Sequence, residues 1–282
     1  MRLARVGPVG RERPVVLDAD GSHWDASVVT SDIDGPFLAS DGPERLQEAL
    51  AAGRLPAIEE PFRYGAAVAR PGKIVCIGLN YRDHAAEIGA ELPTEPVVFL
   101  KAPNTIVGPT DPVRIPRRST KTDYEVELGV VIGRTARYLD SPDDAALVIA
   151  GYAVSNDVSE REFQLERGGL WDKGKSCETF NPLGPWLVTP DEIADPQALR
   201  LRLWVNGGLC QDSTTGNMIF GVAHVIWYLS QFMVLEPGDI VNTGTPAGVA
   251  LGNNDFAYLR AGDVVELEID GLGRQRQTME QA

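Results

Sequence analysis

Two carboxylates separated by one residue, Glu125 and Glu127, lie in the apolar stretch "TDYEVELGVVIG" at positions 122–133. The stretch is rich in strand formers, and side chains at i and i+2 of a strand point to the same face. The two carboxylates would lie side by side, where like charges repel and resist burial. A divalent cation would remove that repulsion. A half-exposed strand with a polar face of Asp123, Glu125 and Glu127 would explain the same pattern without a ligand.

A third carboxylate that could join the pair is Asp157, in the later segment "GYAVSNDVSEREFQ". An apolar strand ends there, and Asp157 could face the same site or cap a following helix. Three carboxylates from two strands, with water or substrate in the other positions, suit a hard octahedral cation such as Mg²⁺ or Mn²⁺. Zinc is less favoured, because no cysteine or second histidine accompanies them.

A histidine and a glutamate in "NYRDHAAEIGAELP", His84 and Glu87, are three residues apart and would share one face of a helix. A carboxylate that holds an imidazole raises its basicity and fixes its tautomer, which is the arrangement that activates a water molecule. A surface helix with an incidental ion pair would show the same spacing.

Two loops carry further polar groups. Lys173 or Lys175, in "LWDKGKSCETFNPLGPW", could contact an anionic substrate or a developing oxyanion, although a solvated loop lysine explains either as simply. Thr243 or Thr245, in "DIVNTGTPAGVALG", could bind a carboxylate together with backbone N–H groups. A tight turn accounts for the same glycines and proline.

The bulk composition favours a soluble cytoplasmic protein. The chain has 282 residues and a formal net charge of −14, which argues against nucleic acid and anionic membranes as partners. Its three cysteines are far apart, which fits a reducing compartment better than a disulfide or zinc framework. The N-terminus lacks the apolar core of a signal peptide, and the longest apolar stretch is too short to span a bilayer comfortably.

Many short strands divided by glycine, proline and asparagine predict a β-rich, mixed α/β fold with a folded-over sheet. Residues 1–66 form a predicted small α+β domain, and residues 70–282 form a second, larger predicted domain. A helix is predicted over 42–56 with Gly53 at its exit, and the few others are predicted after Asn80, over 143–150, after Asn156 and over 221–235. The dinucleotide, P-loop and serine-hydrolase motifs GxGxxG, GxxxxGK[ST] and GxSxG are absent.

Six motifs in order and spacing resemble the fumarylacetoacetate hydrolase family over roughly residues 70 to 275. They are "IGLNYRDHAAE", "PVVFLKAPNTIVGP", "DYEVELGVVIG", "SNDVSEREFQ", "GKSCETFNPLGPW" and "NTGTPAGV". The resemblance implies a β-sandwich roll and a homodimer. It also implies Mg²⁺ or Mn²⁺ bound by Glu125, Glu127 and Asp157, and a His84–Glu87 dyad on a lid that orders around substrate.

The resemblance further implies a reaction and the residues that support it. A 2,4-dioxo acid would be cleaved by water between C3 and C4, to pyruvate or an analogue and a second acid. Lys175 would stabilise the enolate that leaves, and the substrate contacts would come from Arg161, Gln164, Lys101 and Thr245. Many relatives have Phe-Asp in place of Cys177-Glu178 and Cys or Gly in place of Asn181, so metal binding transfers more directly than substrate preference.

Three functional alternatives follow from this resemblance. The lead is a hydrolase of acylpyruvates or of 2,4-diketo-3-deoxy sugar acids, and the leading 66 residues slightly favour the sugar-acid branch. The second is a lyase that uses the same enolate, such as an oxaloacetate decarboxylase, a ureidoglycolate lyase or a 2-keto-3-deoxy acid dehydratase. The third is a non-catalytic metal or carboxylate binder, which the intact set of candidate site residues disfavours.

Overall fold

The computed structural model describes residues 1–59, 62–253 and 255–282; residues 60, 61 and 254, which fall within the two predicted domains, lie outside the described residues. The strands are β1 (Arg2–Val6), β2 (Arg13–Leu17), β3 (His23–Asp25), β4 (Ala57–Ile58), β5 (Ile74–Gly78), β6 (Val97–Lys101), β7 (Ile106–Val107), β8 (Val113–Ile115), β9 (Thr122–Asp123), β10 (Val126–Ile132), β11 (Ile149–Asn156), β12 (Ser159–Glu160), β13 (Asn181–Pro182), β14 (Leu187–Val188), β15 (Arg200–Val205), β16 (Gly208–Thr214), β17 (Ile240–Asn242), β18 (Val264–Ile269) and β19 (Gly273–Gln281).

The α-helices are α1 (Gly35–Ala39), α2 (Gly42–Ala51), α3 (Arg82–Glu87), α4 (Asp172–Lys175) and α5 (Val222–Ser230). Short 3₁₀-helices span Pro103–Thr105, Pro142–Leu147, Pro190–Glu192 and Thr215–Asn217, and a π-helix spans Glu162–Glu166. None of the helices in the described chain combines the length and the apolar character that crossing a membrane requires.

A ten-stranded sheet in the order β4-β3-β2-β1-β14-β11-β10-β17-β5-β6 forms one layer of the fold. Its central strand β10 runs antiparallel to β11 and to β17. Residues 1–66, the leading segment, belong to the same sheet, because β1 pairs with β14 at Arg2 opposite Val188. The site-bearing strands are therefore flanked by neighbours on both sides.

A five-stranded sheet in the order β16-β15-β18-β19-β8 forms the second layer. One core cluster joins alternate residues of β10, such as Val126 and Leu128, to Leu203 of β15 and Leu267 of β18. The two sheets thus bury a shared apolar interior, as sandwiches do. This layering confirms the predicted strand-rich, mixed α/β fold.

The opposite face of the large sheet is covered by a second core cluster, in which Val131 of β10 packs with Phe37 of α1 and Leu46 of α2. Side chains alternate along a strand, so Glu127 points away from the face of Val126 and Leu128. The acidic residues therefore lie on the face of the large sheet that is turned away from the five-stranded sheet.

Local structure differs from the sequence prediction at several helices. Helix α5 ends at Ser230, five residues before the end of the predicted helix 221–235. The segment 143–150, predicted as a helix, is divided between the 3₁₀-helix Pro142–Leu147 and the start of β11 at Ile149. The region after Asn156 first forms β12 and only then a π-helix. Strand β12 forms because it pairs with β9. These residues are distant in sequence, so a local pattern does not reveal the pairing.

Candidate active site

The three candidate carboxylates come together across the antiparallel pair β10 and β11. Glu127 lies opposite Ser155, and the backbone N–H of Asp157 donates to the carbonyl oxygen of Glu125 at 3.0 Å. One carboxylate oxygen from each of Glu125, Glu127 and Asp157 lies within 4.8 Å of the others. Their exposed fractions are only 5%, 2% and 0%. A half-exposed polar strand face is therefore the wrong interpretation of the acidic alternation.

Buried cations compensate two of the three carboxylates. Lys175 Nζ donates to Glu125 Oε2 and to Asp157 Oδ2, each at 2.7 Å. Arg161 Nη2 donates to Glu125 Oε1 at 2.6 Å, and Lys101 Nζ donates to Asp157 Oδ1 at 2.5 Å. Glu127 instead accepts a backbone hydrogen bond from Gly244 at 2.8 Å. Its negative charge is the least compensated of the three.

The pKa values follow this difference in partners. Burial opposes ionisation of Glu125, but Lys175 and Arg161 outweigh it and lower the pKa of this carboxyl to about 2. Burial raises the pKa of Glu127 well above its ordinary value, and Asp157 and Glu125 raise it further. For Lys175, burial acts to lower the pKa, but Asp157 and Glu125 prevail and raise it. Lys175 is therefore charged at neutral pH.

A divalent cation fits this group of residues. Three carboxylates converge, and oxygen is the donor that Mg²⁺ and Mn²⁺ prefer. The charge of such a cation would also compensate Glu127. Among the described residues, Glu127 forms no ion pair with the lysines or with Arg161. Glu125, Glu127 and Asp157 could thus hold the metal, with Lys175 beside it.

Asp123 is a buried residue that the sequence prediction did not include in the site. Its side chain accepts hydrogen bonds from Arg161 Nε at 2.9 Å, from Ala250 N at 2.9 Å and from Leu251 N at 3.0 Å. It thereby fixes the guanidinium that contacts Glu125. The signal was present, because Asp123 continues the i, i+2 alternation of the two glutamates.

Helix α4 delivers Lys175 by packing tightly against the π-helix Glu162–Glu166. Gly174 has no room for a side chain: a Cβ there would lie 2.4 Å from Glu160 O and 2.6 Å from Gln164 Cβ. The same π-helix carries Gln164, whose Oε1 accepts from Arg161 Nη1 at 3.0 Å. The glycine of the "DKGK" segment thus allows two elements to hold their polar side chains at one site.

The predicted histidine–glutamate dyad lies on α3. His84 Nδ1 and Glu87 Oε2 are 3.2 Å apart. Glu87 also accepts from Gly248 N at 3.0 Å and from Asn253 Nδ2 at 3.1 Å. Burial opposes ionisation of Glu87, but His84, Gly248 and Asn253 outweigh it and lower the pKa of this carboxyl. A charged Glu87 leaves His84 Nε2 as the ring nitrogen for proton transfer.

The carboxylate group and the histidine–glutamate dyad meet at one cavity of about 170 Å³. Seven of the predicted site residues line it, namely His84, Glu125, Glu127, Arg161, Gln164, Lys175 and Thr245. The other three, Lys101, Asp157 and Glu87, contact lining residues or one another from behind the wall. The rest of the wall is mostly apolar and is formed by Ile77, Gly78, Leu79, Ile88, Phe99, Leu165, Trp171 and Leu251.

Comparison with known proteins identifies the family. Residues 73–280 match the family described as fumarylacetoacetate (FAA) hydrolase C-terminal. The chain belongs to this family. A relative from Burkholderia multivorans, named "Putative hydrolase", is 52% identical over 98% of each chain.

Two solved structures show the same fold. Maleylpyruvate hydrolase from Sphingobium sp. SYK-6, in complex with manganese(II) and pyruvate, is 29% identical and covers all of both chains with a TM-score of 0.82. A probable 2-hydroxyhepta-2,4-diene-1,7-dioate isomerase from Mycobacterium abscessus is 32% identical, with a TM-score of 0.84 over 100% of this chain and 99% of the other. The fumarylacetoacetate hydrolase family thus includes neighbours named for hydrolysis and for isomerisation.

Thr245 and Lys101, two of the predicted substrate contacts, form hydrogen bonds to other groups of the protein. The Thr245 hydroxyl donates to Val126 O at 3.0 Å and accepts from Gln211 Nε2 at 2.8 Å. Lys101 donates to Asp157 and, at 3.1 Å, to Val158 O. In this member of the fumarylacetoacetate hydrolase family, both side chains hold neighbouring groups of the site in position. Their substrate contacts stay predictions.

Proposed function

We propose that the protein is a divalent-metal-dependent hydrolase that cleaves the C3–C4 bond of a 2,4-dioxo acid of the acylpyruvate type. The products would be pyruvate, or an analogue of it, and a second acid. The observation that carries the proposal is that the Glu125–Glu127–Asp157 group and the His84–Glu87 dyad meet at one cavity. The relative solved with manganese(II) and pyruvate supports the choice of metal and product.

The charges of the site suit an anionic 2-oxo acid. Three buried carboxylates, those of Asp123, Glu125 and Asp157, are in contact with three buried cations, namely Lys101, Arg161 and Lys175. A divalent cation, Mg²⁺ or Mn²⁺, held by the three carboxylates would act as a Lewis acid toward the carboxylate and 2-oxo oxygens of the substrate. Arg161 and Gln164 line the same cavity and would orient the substrate.

His84 would act as the general base. Its ring is held through Nδ1 by the charged Glu87, so that Nε2 takes a proton from water as the water oxygen attacks C4. Breaking the C3–C4 bond leaves the electron pair on the pyruvate fragment as an enolate. Return of the proton from His84 to C3 then gives pyruvate, and the hydroxyl added at C4 completes the second acid.

Lys175 would stabilise the enolate as it forms. Its ammonium is buried, stays charged at neutral pH and lines the cavity between Glu125 and Asp157. Positive charge placed where negative charge develops is worth most in a water-poor site. Lys101, behind Asp157, would keep that carboxylate in place.

The test compares turnover of acetylpyruvate and oxaloacetate by one protein preparation with Mg²⁺ or Mn²⁺ and then with EDTA. The proposal predicts metal-dependent cleavage of acetylpyruvate that is much faster than decarboxylation of oxaloacetate. Consumption of oxaloacetate alone would replace the hydrolase with the lyase alternative. Activity that EDTA leaves unchanged would refute the metal site.

Isomerisation of a 2-hydroxydiene acid is the second candidate, because a structural neighbour is named for that reaction. It needs proton transfer between carbon atoms and no attack by water, so His84 would move a proton without producing a second acid. Proton NMR of a 2-hydroxydienoate incubated in D₂O distinguishes the two reactions. Deuterium incorporation without cleavage of acetylpyruvate would favour the isomerase.

We propose a homodimer in the cytoplasm that acts on a small molecule. The three cysteines, all within the described residues, form no disulfide, as is usual in reducing compartments. Sedimentation velocity at two protein concentrations tests the dimer, and a monomer at both would refute it.

A further inference from the structure

An apolar wall leads away from the charged end of the cavity. Lys175 Nζ lies 5.1 Å from the centre of the Phe99 ring, and Phe99 contacts Trp171 edge to face at 5.5 Å between ring centres. The contacts thus run from the enolate-stabilising lysine through one aromatic ring to a second. Any substrate that binds its 2-oxo acid end near Lys175 would extend along these rings.

Trp171 occupies space that a side chain on β5 would otherwise fill. A Cβ added to Gly78 would lie 2.4 Å from Cζ3 and 3.0 Å from Cη2 of the indole. The strand end and the ring are therefore in direct contact, and both line the cavity. Trp171 limits how far the cavity extends along this strand.

The apolar end offers no unpaired cation among the described residues. Arg161 and Lys175, the two cations of the lining, are each bound to two buried carboxylates. Cations on the neighbouring segment point elsewhere, since Arg167 pairs with Glu162 and Lys173 donates to Arg167 O. A second carboxylate at the far end of a substrate would lose its hydration without gaining a partner.

We propose that the acyl group of the substrate is short, uncharged and apolar, and that Trp171 over Gly78 sets its maximum length. This inference rests on the proposed 2,4-dioxo acid hydrolase and names its substrate class. It disfavours the sugar-acid branch, because hydroxyl groups would face Phe99, Leu165, Ile88 and Leu251. The small volume of the cavity, about 170 Å³, agrees with a short chain.

Binding of three six-carbon acids that are not cleaved tests the polarity of this subsite. The acids are 2-oxohexanoate, 2-oxoadipate and 2-keto-3-deoxygluconate, which share the 2-oxo acid end and differ only beyond C3. Calorimetry with the Mn²⁺-loaded protein should give a Kd for 2-oxohexanoate at least about tenfold lower than for either other acid. Equal or tighter binding of 2-oxoadipate or 2-keto-3-deoxygluconate would overturn the proposal.

Chain length tests the role of Trp171. From pyruvate to 2-oxohexanoate, each methylene that the cavity accepts should tighten binding about fourfold, after which longer chains should bind no better. The length limit is the chain length beyond which binding no longer tightens. Trp171→Ala should move this length limit to longer acids such as 2-oxooctanoate and leave pyruvate binding within about twofold of wild type. Trp204→Ala, on the distant strand β15, is the matched control and should leave the limit unchanged.

A second variant keeps the test independent of any folding defect in Trp171→Ala. Gly78→Ala forces the indole toward the cavity and should weaken 2-oxohexanoate binding at least about tenfold, with pyruvate affected less. An unchanged length limit in both variants would overturn the role of Trp171.

Cleavage of acetylpyruvate, measured in parallel, separates this inference from the proposed function. Cleavage with no preference for apolar chains would refute the subsite alone. A clear preference for apolar 2-oxo acids without any cleavage would support the subsite and refute the hydrolase. Failure to bind any of the 2-oxo acids would overturn the subsite whatever the activity.

Discussion

Glu127 is the residue at which metal binding and stability of the metal-free fold conflict. Glu125 is paired with Lys175 and Arg161, and Asp157 with Lys101 and Lys175, whereas Glu127 accepts one backbone hydrogen bond. A buried carboxylate close to two others is costly when ionised. The same arrangement gives a divalent cation its largest electrostatic gain at this position.

Glu127→Gln should therefore lose the metal and leave the metal-free protein more stable. The raised pKa of Glu127 means that its protonated form stabilises the fold, and this contribution is lost as the pH rises through that pKa. Glutamine stays neutral at every pH. In EDTA the variant should gain about 1–3 kcal/mol in free energy of unfolding at pH 8, and less at pH 5. Denaturant unfolding at both pH values measures the difference.

Metal titration provides the second half of that test. Mn²⁺ should raise the melting temperature of wild type, and Glu127→Gln should need about 100-fold more Mn²⁺ or show no shift. Glu48→Gln, an exposed glutamate on α2, is the control and should behave as wild type in both measurements. An unchanged Mn²⁺ affinity in Glu127→Gln would refute the assignment of Glu127 as a ligand.

His84 separates hydrolysis from decarboxylation. His84→Ala should lower metal-dependent cleavage of acetylpyruvate by about 10²–10⁴-fold, because a general base typically contributes that much. Decarboxylation of oxaloacetate requires no attack by water and should fall less than about tenfold. His224→Ala, on α5 and stacked on Phe220, is the control and should change neither rate. Equal losses of both activities in His84→Ala would count against the role in activating water.

Contacts between site residues could be predicted from the sequence where the two residues are close together in the chain. The i, i+3 spacing of His84 and Glu87 corresponds to the observed contact, because the helix period fixes it. The i, i+2 spacing of Glu125 and Glu127 also corresponds to neighbouring carboxylates, although β10 begins only at Val126. The positioning role of Asp123 could not be assigned in this way. Its partners, among them Arg161 and Ala250, are distant in sequence and meet it only through the fold.

The contact between α4 and the π-helix determines where Lys175 lies. Backbone and side-chain atoms of Glu160 and Gln164 occupy the place that a side chain on residue 174 would need. The π-helix adds a residue to the turn that carries Gln164, a distortion often found at functional sites. Neither this distortion nor the contact has a local signature in the sequence, so the sequence predicts an ordinary helix after Asn156.

Gly174→Ala should displace α4 and reduce activity more than stability. A Cβ at 2.4 Å from a backbone oxygen cannot be accommodated by a side-chain rotation, so Lys175 must shift from Glu125 and Asp157. We expect at least about a 100-fold loss in kcat for acetylpyruvate, with a loss of about 1–3 kcal/mol in free energy of unfolding.

Gly208→Ala is the control for that substitution. Its Cβ would lie no closer than 3.3 Å to its nearest neighbour, Val205 O, on the hairpin of β15 and β16. The control should keep wild-type kcat. Wild-type kcat in Gly174→Ala itself would contradict the view that this packing positions Lys175.

The leading segment, residues 1–66, and the site-bearing region share one sheet and one core. Strands β1–β4 continue the large sheet beyond β14, and the cluster of Leu3, Val16 and Leu46 also contains Val131 and Ile240. The boundary near residues 66–70 is predicted from a change in sequence character and stays a prediction. Shared packing across it is a long-range property that composition and turn signals do not carry.

A chain restricted to residues 70–282 should therefore fail to fold stably. Removing the leading segment would uncover β14 and one side of the core cluster that includes Phe37, Val131 and Ile240. Each large apolar side chain that loses burial costs about 1.5–3 kcal/mol, so a few of them exhaust a typical stability of about 5–15 kcal/mol. Circular dichroism and size-exclusion chromatography of this fragment should show no cooperative unfolding and an aggregated or expanded chain. A soluble fragment that unfolds cooperatively and binds Mn²⁺ would instead make residues 70–282 an autonomous domain, with the leading segment an accessory to the sheet.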